Sequence, residues 1–183
     1  MPFITTYTGK KFDPTEPDIA LIDIDDVAHA LSLLCRANGH FPEFYSVGIH
    51  SLNCANEARA RGYSARMQLA CLIHDASEAY LSDITRPVKS VLPQYKNIEN
   101  RLQNAIEEKW LGSTLSEEEY RLMREIDDDI LYCEILHYFK YELYEKAPDM
   151  RSVPVMKFES FVKTENDFKN EFERLRDMIG FKK

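Results

Sequence analysis

The sequence has no apolar run approaching the roughly 18–20 residues that a membrane-spanning helix requires. Its opening stretch, Met1 to Lys11, lacks the apolar h-region of a secretory signal. Both absences point to a cytoplasmic protein with no membrane partner. An excess of positive charge is also missing: 31 acidic side chains against 23 basic ones give a net charge of −8. That balance argues against a nucleic-acid polymer as partner, since such a surface is normally basic. It leaves room for a phosphorylated small molecule, because a bound metal ion reverses the local field. No CxxC pair occurs. The four cysteines, Cys35, Cys54, Cys71 and Cys133, are widely spaced among apolar neighbours and read as buried, reduced thiols outside any ligand set. Internal repeats, low-complexity tracts and an interdomain linker are absent as well.

What is present is enough for one folded domain. The chain has 183 residues, 44% of them hydrophobic, which suits a single core rather than a disordered chain. Residues 1–20 read as an N-terminal extended segment. Phe3 to Tyr7 favours a strand and Thr8-Gly9-Lys10 a turn, so a short hairpin is expected before Pro14 and Pro17 interrupt the chain. Residues 21–183 read as an all-α domain of about six helices. The first is capped by Asp25 or Asp26 and stops near Asn38-Gly39. Ser46 opens a second that carries His50, Cys54 and Ala58 to Gly62. Ser64 opens a third, running from Ala65 to about Leu81. A fourth spans Tyr95 to Leu111, with Pro93 in its first turn and Gly112 at its end. Ser116 and Glu119 form a capping-box pair. The fifth helix that they open carries Met123, Ile126, Ile130, Cys133 and His137 on one face and extends to about Glu145. The last, Lys157 to Ile179, presents Phe158, Phe161, Phe168, Phe172, Leu175 and Ile179 on one side.

Chemistry gathers on the third helix, in Leu72-Ile73-His74-Asp75-Ala76-Ser77-Glu78. On a 3.6-residue helix Glu78 is i+4 from His74 and i+3 from Asp75, so the three face one site. Imidazole and carboxylate are suitable ligands for a dication, and a glutamate one turn further on can stay free to handle protons. His50, on the preceding helix, and Asp127, beside Ile126 and Ile130 on the fifth, can complete a ligand set, as inward-pointing residues of helical bundles commonly do. The competing reading is that each histidine is a satisfied core or surface residue and that Asp127-Asp128-Asp129 is a solvated acidic face. Spacing alone does not separate the two.

His50, His74-Asp75 and Asp127, in that order, resemble the H…HD…D signature of the HD-domain metal-dependent phosphohydrolases. His74 to Glu78 followed by Asp83-Ile84-Thr85-Arg86-Pro87-Val88-Lys89, with Tyr45-Ser46-Val47 ahead of His50 and Arg36 fourteen residues before it, is similar to one subgroup. That subgroup holds the 5′-deoxynucleotidases and the small phage deoxynucleoside triphosphate triphosphohydrolases. The resemblance runs from about Asp25 to Glu134. It implies an HD-type helical bundle with one divalent metal ion on His50, His74, Asp75 and Asp127. It also implies Glu78 as the catalytic carboxylate, Asp83 orienting the nucleotide or the attacking water, and Arg36 gripping a phosphate. Lys89 and Arg86 follow closely enough either to reach substrate phosphates or to pair with acidic side chains; Lys89 is assigned to substrate. Two imidazoles among the ligands favour Mn²⁺, Co²⁺, Fe²⁺ or Zn²⁺ over Mg²⁺. The substrate so implied is a nucleotide, and the assembly a homodimer or higher homo-oligomer.

The expected reaction is hydrolysis of the 5′-phosphate of (deoxy)nucleoside monophosphates. The same pattern also suits a triphosphohydrolase releasing tripolyphosphate. A non-catalytic HD-fold nucleotide sensor would be expected to have lost a ligand. Where the subgroup places a tryptophan just after the arginine this chain has Ala37, which leaves base and sugar choice open. Trp110, His29 and His137 read as core or core-edge residues, and His40 as part of a surface turn. Tyr132, Tyr138, Tyr141 and Tyr144 read as packing residues.

Overall fold

A computed structural model describes residues 3–180. Residues 1 and 2 of the expected N-terminal segment, and residues 181–183, lie outside the described residues. The fold is an all-α bundle preceded by a small hairpin. Strands β1 (Ile4–Thr5) and β2 (Lys11–Phe12) are antiparallel, with Ile4 opposite Phe12 and Thr5 opposite Lys11. Gly9 turns the chain at φ +81°, a conformation that costs glycine no Cβ clash. The strand is shorter than Phe3 to Tyr7 because Thr8 leaves the ladder: its N–H and Oγ1 both donate to the buried Asp26 carboxylate, at 2.6 and 3.0 Å. Phe12 is fully buried against Tyr80, so the hairpin shares its core with the helices.

Helix α1 (Ile24–Leu33) is capped by Asp23, whose Oδ1 accepts from the Asp25 N–H at 2.9 Å. The cap is therefore earlier than the expected Asp25 or Asp26, and Asp26 is instead the anchor for Thr8. The helix also ends short of Asn38, because the Arg36 N–H turns back to the Tyr45 carbonyl and residues 36–39 form a tight turn. In that turn Ala37 and Asn38 take φ of +52° and +51°. Helix α2 (Val47–Ala60) opens on Ser46 and α3 (Ala65–Ile73) on Ser64, each serine hydroxyl accepting a first-turn N–H. Short helices α4 (Glu78–Leu81) and α5 (Arg86–Lys89) lead to three long ones, α6 (Pro93–Leu111), α7 (Glu117–Phe139) and α8 (Phe161–Ile179). Both halves of the Ser116–Glu119 capping box form.

The expected third helix does not run on to Leu81. In a continuous helix the Ser77 N–H would donate to the Ile73 carbonyl. Instead Gln103 of α6 inserts between them: its Nε2 donates to Ile73 O at 3.0 Å and its Oε1 accepts from Ser77 N at 3.2 Å. A side chain placed in the i→i−4 ladder breaks it. The chain then winds in tighter i→i+3 turns, with Ala76 N on Ile73 O and Glu78 N on Asp75 O.

Packing explains two further departures. Helix α8 starts at Ser160, which caps it, and only Phe168, Phe172 and Leu175 of the expected face are fully buried; Phe158 and Phe161 are exposed. Helix α7 ends at Phe139, where Lys140 turns left-handed, and its inward stripe is Met123, Ile126, Asp127, Ile130, Glu134 and Tyr138. His137 is exposed and Cys133 only half-buried. The main core lies where α2 packs on α3 and α8 crosses α1, α2 and α3. Leu31, Leu69, Leu72, Ile106, Ile126 and Phe172 are fully buried there, with Trp110 edge-on to Phe172. Gly48 permits the approach of α2 to its neighbours, since a Cβ would stand 3.0 Å from Thr164 Cγ2 and 3.2 Å from the Leu31 carbonyl. Phe41, Tyr45, Ile49 and Tyr138 form a smaller cluster beside it. Among the described residues no helix is long and apolar enough to cross a membrane.

The loop after α7 is pinned to α2 by Glu57. This fully buried carboxylate accepts from Arg151 N (2.9 Å), Ser152 N (2.8 Å), Ser152 Oγ (2.6 Å) and Arg61 Nε (2.8 Å). Burial opposes its charge, but these donors outweigh burial and hold its pKa below the usual 4.5. Its stabilising effect is therefore complete above the unfolded-state pKa near 4.5 and is lost as pH falls through the lower folded value. Glu57→Gln should cost about 1.5–3 kcal/mol at pH 7 and flatten the acid limb of a denaturation-midpoint-versus-pH curve. An unchanged midpoint at pH 7 would show that the loop is held by other contacts.

Candidate metal centre

Four side chains from three helical segments converge on one point. His50 sits on α2, His74 and Asp75 at the Gln103-induced break, and Asp127 on α7. His50 Nε2 is 3.3 Å from His74 Nε2, 3.2 Å from Asp127 Oδ1 and 3.8 Å from Asp75 Oδ2. His74 Nε2 is 3.2 Å from Asp75 Oδ2 and 3.8 Å from Asp127 Oδ1. Donors about 2.1 Å from one ion stand about 3.0 Å apart at right angles and about 3.4 Å apart at tetrahedral angles. Three of the five spacings fall in that range, and the two at 3.8 Å lie slightly beyond it.

The outer nitrogens fix the tautomers. His50 Nδ1 donates to Glu134 Oε1 at 2.7 Å, and His74 Nδ1 donates to the Cys71 carbonyl at 2.8 Å. With Nδ1 carrying the proton, each neutral imidazole turns an unprotonated Nε2 inward. In that neutral state two nitrogen lone pairs and two carboxylate oxygens face one another, an arrangement that inner protons or a bound cation relieve. Positive charge at the centre, carried by protons on the imidazoles or by a cation, relieves the repulsion. His74 registers this demand: burial disfavours its charged form, yet the Asp75 and Asp127 carboxylates outweigh burial and raise its pKa to about 10. Asp127 is driven well below the ordinary carboxylate range, its own burial being outweighed by hydrogen bonds to both imidazoles.

A sulfur joins the group. Cys54, four residues after His50 on α2, places Sγ 3.6 Å from His50 Nε2. His50, Cys54 and His74 form a group that can hold a metal ion, their donor atoms all within 4.8 Å of one another. Cys54, read from the sequence as a buried thiol outside any ligand set, is buried as expected but lies beside the centre. All four cysteines are free; Cys54 and Cys71 are buried, but Cys35 is exposed, because the chain leaves α1 before reaching it.

Outer residues orient this inner set. Arg86 Nη2 and Arg124 Nη1 hold Asp127 Oδ2 at 2.8 and 3.0 Å, which leaves Oδ1 to the centre. Arg86 therefore pairs with acidic groups, Asp128 included. Glu134, fully buried, was not among the sequence candidates. Its signal is a spacing of seven residues from Asp127, two helical turns along the same face of α7. Such carboxylate–histidine pairs orient metal-binding imidazoles. Arg36 spans Asp75 Oδ2 and Glu134 Oε2, both at 3.4 Å, and is only 12% exposed.

Asp75, with its side chain 19% exposed, is the most open of the four, so a ligand approaches from its side. Glu78 stands there. In the tight turns after Ile73, residues i and i+3 eclipse, which aligns Glu78 with Asp75 rather than with His74 as a regular helix would. Its Oε1 accepts from Lys89 Nζ at 3.4 Å, and its buried Oε2 has no partner. Burial first, then the Asp75 and Asp83 charges, raise the Glu78 pKa well above the carboxylate norm, against Lys89 and Arg36. Asp83 is half-buried, and burial together with the Asp75 charge raises its pKa. Lys89 also binds Glu99 Oε1 at 2.5 Å. His29 pairs with Glu165 at 3.0 Å and stacks on Tyr7, and His40 is exposed; neither adjoins the centre. A separate cleft of about 740 Å³, bounded by Arg61, Glu125, Asp129 and the 146–151 loop, contains none of these candidates.

No family model matches the chain. It is similar to YfdR, an uncharacterized protein of Escherichia coli, with 38% identity over 110 residues, covering 60% of this chain and 59% of that one. An uncharacterized protein of Rhodobacter capsulatus is 37% identical over 105 residues, covering 54% of this chain and 53% of that one. The chain thus spans between half and two thirds of the length of these curated relatives.

If Glu134 orients His50, Glu134→Gln should weaken dication binding about 10–100-fold while the folded chain persists, measured by competition with a chromophoric chelator. Unchanged affinity would remove Glu134 from the centre.

Proposed function

We propose that the chain is an HD-domain metal-dependent phosphohydrolase that releases the 5′-phosphate of (deoxy)nucleoside monophosphates. The observation that carries this reading is the convergence of two imidazole nitrogens and two carboxylate oxygens on one point, next to a buried carboxylate with a free oxygen. His50, His74, Asp75 and Asp127 would hold one divalent ion, and their two imidazoles favour Mn²⁺, Co²⁺, Fe²⁺ or Zn²⁺ over Mg²⁺. Such an ion, when bound, acidifies water and neutralises phosphoryl charge.

The chain's own residues supply the rest. The phosphate enters from the Asp75 side. Arg36 exchanges part of its carboxylate pairing for phosphoryl oxygens, which match its planar fork. Lys89, already at the rim beside Glu78, adds a second positive charge. Glu78 takes a proton from the attacking water as its oxygen bonds to phosphorus. The bond from phosphorus to the nucleoside 5′-oxygen breaks, and Glu78 gives up the proton it took, so that the freed oxygen leaves as a hydroxyl and Glu78 returns to its carboxylate. A carboxylate whose pKa is raised by burial is a stronger base than an exposed one, which suits it to take a proton from water. Asp83 orients the water or the nucleotide. Ala37, in the tight turn after Arg36, stands where the resembled subgroup has a tryptophan, which leaves the choice of base and sugar open. We place the enzyme in the cytoplasm, working as a homodimer or larger homo-oligomer.

A product assay on metal-reconstituted protein tests this, using ribo and deoxy mono- and triphosphates with Asp75→Ala as the blank. The expected product is inorganic phosphate from monophosphates. Glu78→Ala should retain the ion but lower kcat about 10²–10⁴-fold, and Arg36→Ala should lower kcat/KM about 10²–10³-fold. Tripolyphosphate from a deoxynucleoside triphosphate would replace the monophosphatase reading with a triphosphohydrolase. Silence on every nucleotide would overturn both.

A further inference from the structure

We infer that Cys54 is a fifth donor of the metal centre, its sulfur joining His50, His74, Asp75 and Asp127 on one ion. This rests on the metal-centre reading above and deepens it: the centre becomes one that takes a thiolate-binding dication.

Placement comes first. Cys54 follows His50 by one helical turn on α2, so both project from the same face. The side chain is buried, 1% exposed, with Sγ 3.6 Å from His50 Nε2 and within 4.8 Å of the His74 donor atom. With Zn–S near 2.3 Å and Zn–N near 2.1 Å, a sulfur and a nitrogen on one five-coordinate ion stand about 3.1 Å apart at 90° and about 3.8 Å apart at 120°, which brackets the observed 3.6 Å. The observed separation needs no rearrangement of α2.

The thiol's present bond supports the assignment. With His50 Nδ1 committed to Glu134, a neutral His50 accepts at Nε2, and the Cys54 S–H is then a donor placed to meet it. An ion at the centre takes that lone pair and leaves the S–H aimed at a dication. The S–H bond then breaks, its proton passes to solvent, and a sulfur–metal bond forms without any change of oxidation state. Cys71 lies on α3, where its backbone carbonyl serves His74 Nδ1, and its thiol is outside the His50–Cys54–His74 group. Soft sulfur shifts preference toward Zn²⁺, Co²⁺ and Fe²⁺ and away from hard cations.

The test is optical. Co²⁺ is added to the metal-free full chain, and the visible and near-ultraviolet spectra are recorded to saturation. The expected wild-type result is a sulfur-to-cobalt charge-transfer band in the near ultraviolet together with visible ligand-field bands, saturating together. Cys54→Ser should lose the former and keep the latter, and its preference for Zn²⁺ over Mn²⁺ should fall about 10–100-fold. Ligand-field bands without a sulfur band in the wild type would overturn the Cys54 assignment and leave the four-residue centre standing. A sulfur band that survives in Cys54→Ser would assign it to another thiol and overturn the proposal equally. No cobalt spectrum at all would sink the metal-centre reading together with this inference. The wild-type spectrum decides the question even if the variant does not fold.

Discussion

Four electron-pair donors turned onto one point repel one another, and the surrounding helices are arranged to keep them there. Glu134 and the Cys71 carbonyl take the outer protons of His50 and His74. Arg86 and Arg124 take one oxygen of Asp127, and Arg36 reaches Asp75. Each of these contacts fixes an orientation that the inner residues would abandon in water. The arrangement is unfavourable until positive charge occupies its middle, which is why a cation is the economical account of it. The raised pKa of His74 expresses the same demand in protons.

The break after Ile73 makes this convergence possible. A continuous helix would place His74 and Glu78 in line. Gln103 opens the ladder, and the tighter winding brings Asp75 and Glu78 onto one side while His74 turns its Nδ1 back to Cys71. The ligand pair and the carboxylate proposed to handle protons are thus positioned by an amide on a different helix. Buried carboxylates are affordable there because Arg36, Lys89, Arg86 and Arg124 lie among them, several at hydrogen-bond distance.

Much of the fold was legible because its signals are local. Ser46, Ser64 and the Ser116–Glu119 box cap the helices they were expected to cap, and Gly112 and Gly180 end theirs in left-handed turns. His50, His74, Asp75 and Asp127 lie close together, although the regular helix on which the His74–Glu78 spacing was read ends at Ile73. What escaped was set by tertiary contact. Gln103 is 30 residues from the carbonyl it captures, and no propensity marks that. Asp26 reads as a cap but serves Thr8 across the hairpin. Glu134 sits among Cys133, Ile135 and Leu136, where only its seven-residue spacing from Asp127 betrays an inward role. Cys54 looked like one more apolar position until His50 was placed one turn away on the same face.

The central claim is that this cluster exists to hold one cation. Its most direct test is the stoichiometry of Zn²⁺ or Mn²⁺ bound by the folded wild-type chain after equilibrium dialysis, read by elemental analysis beside His74→Ala. One tightly held ion per chain, lost in the variant, is the result this account predicts. A folded wild-type chain that retains no dication would contradict it.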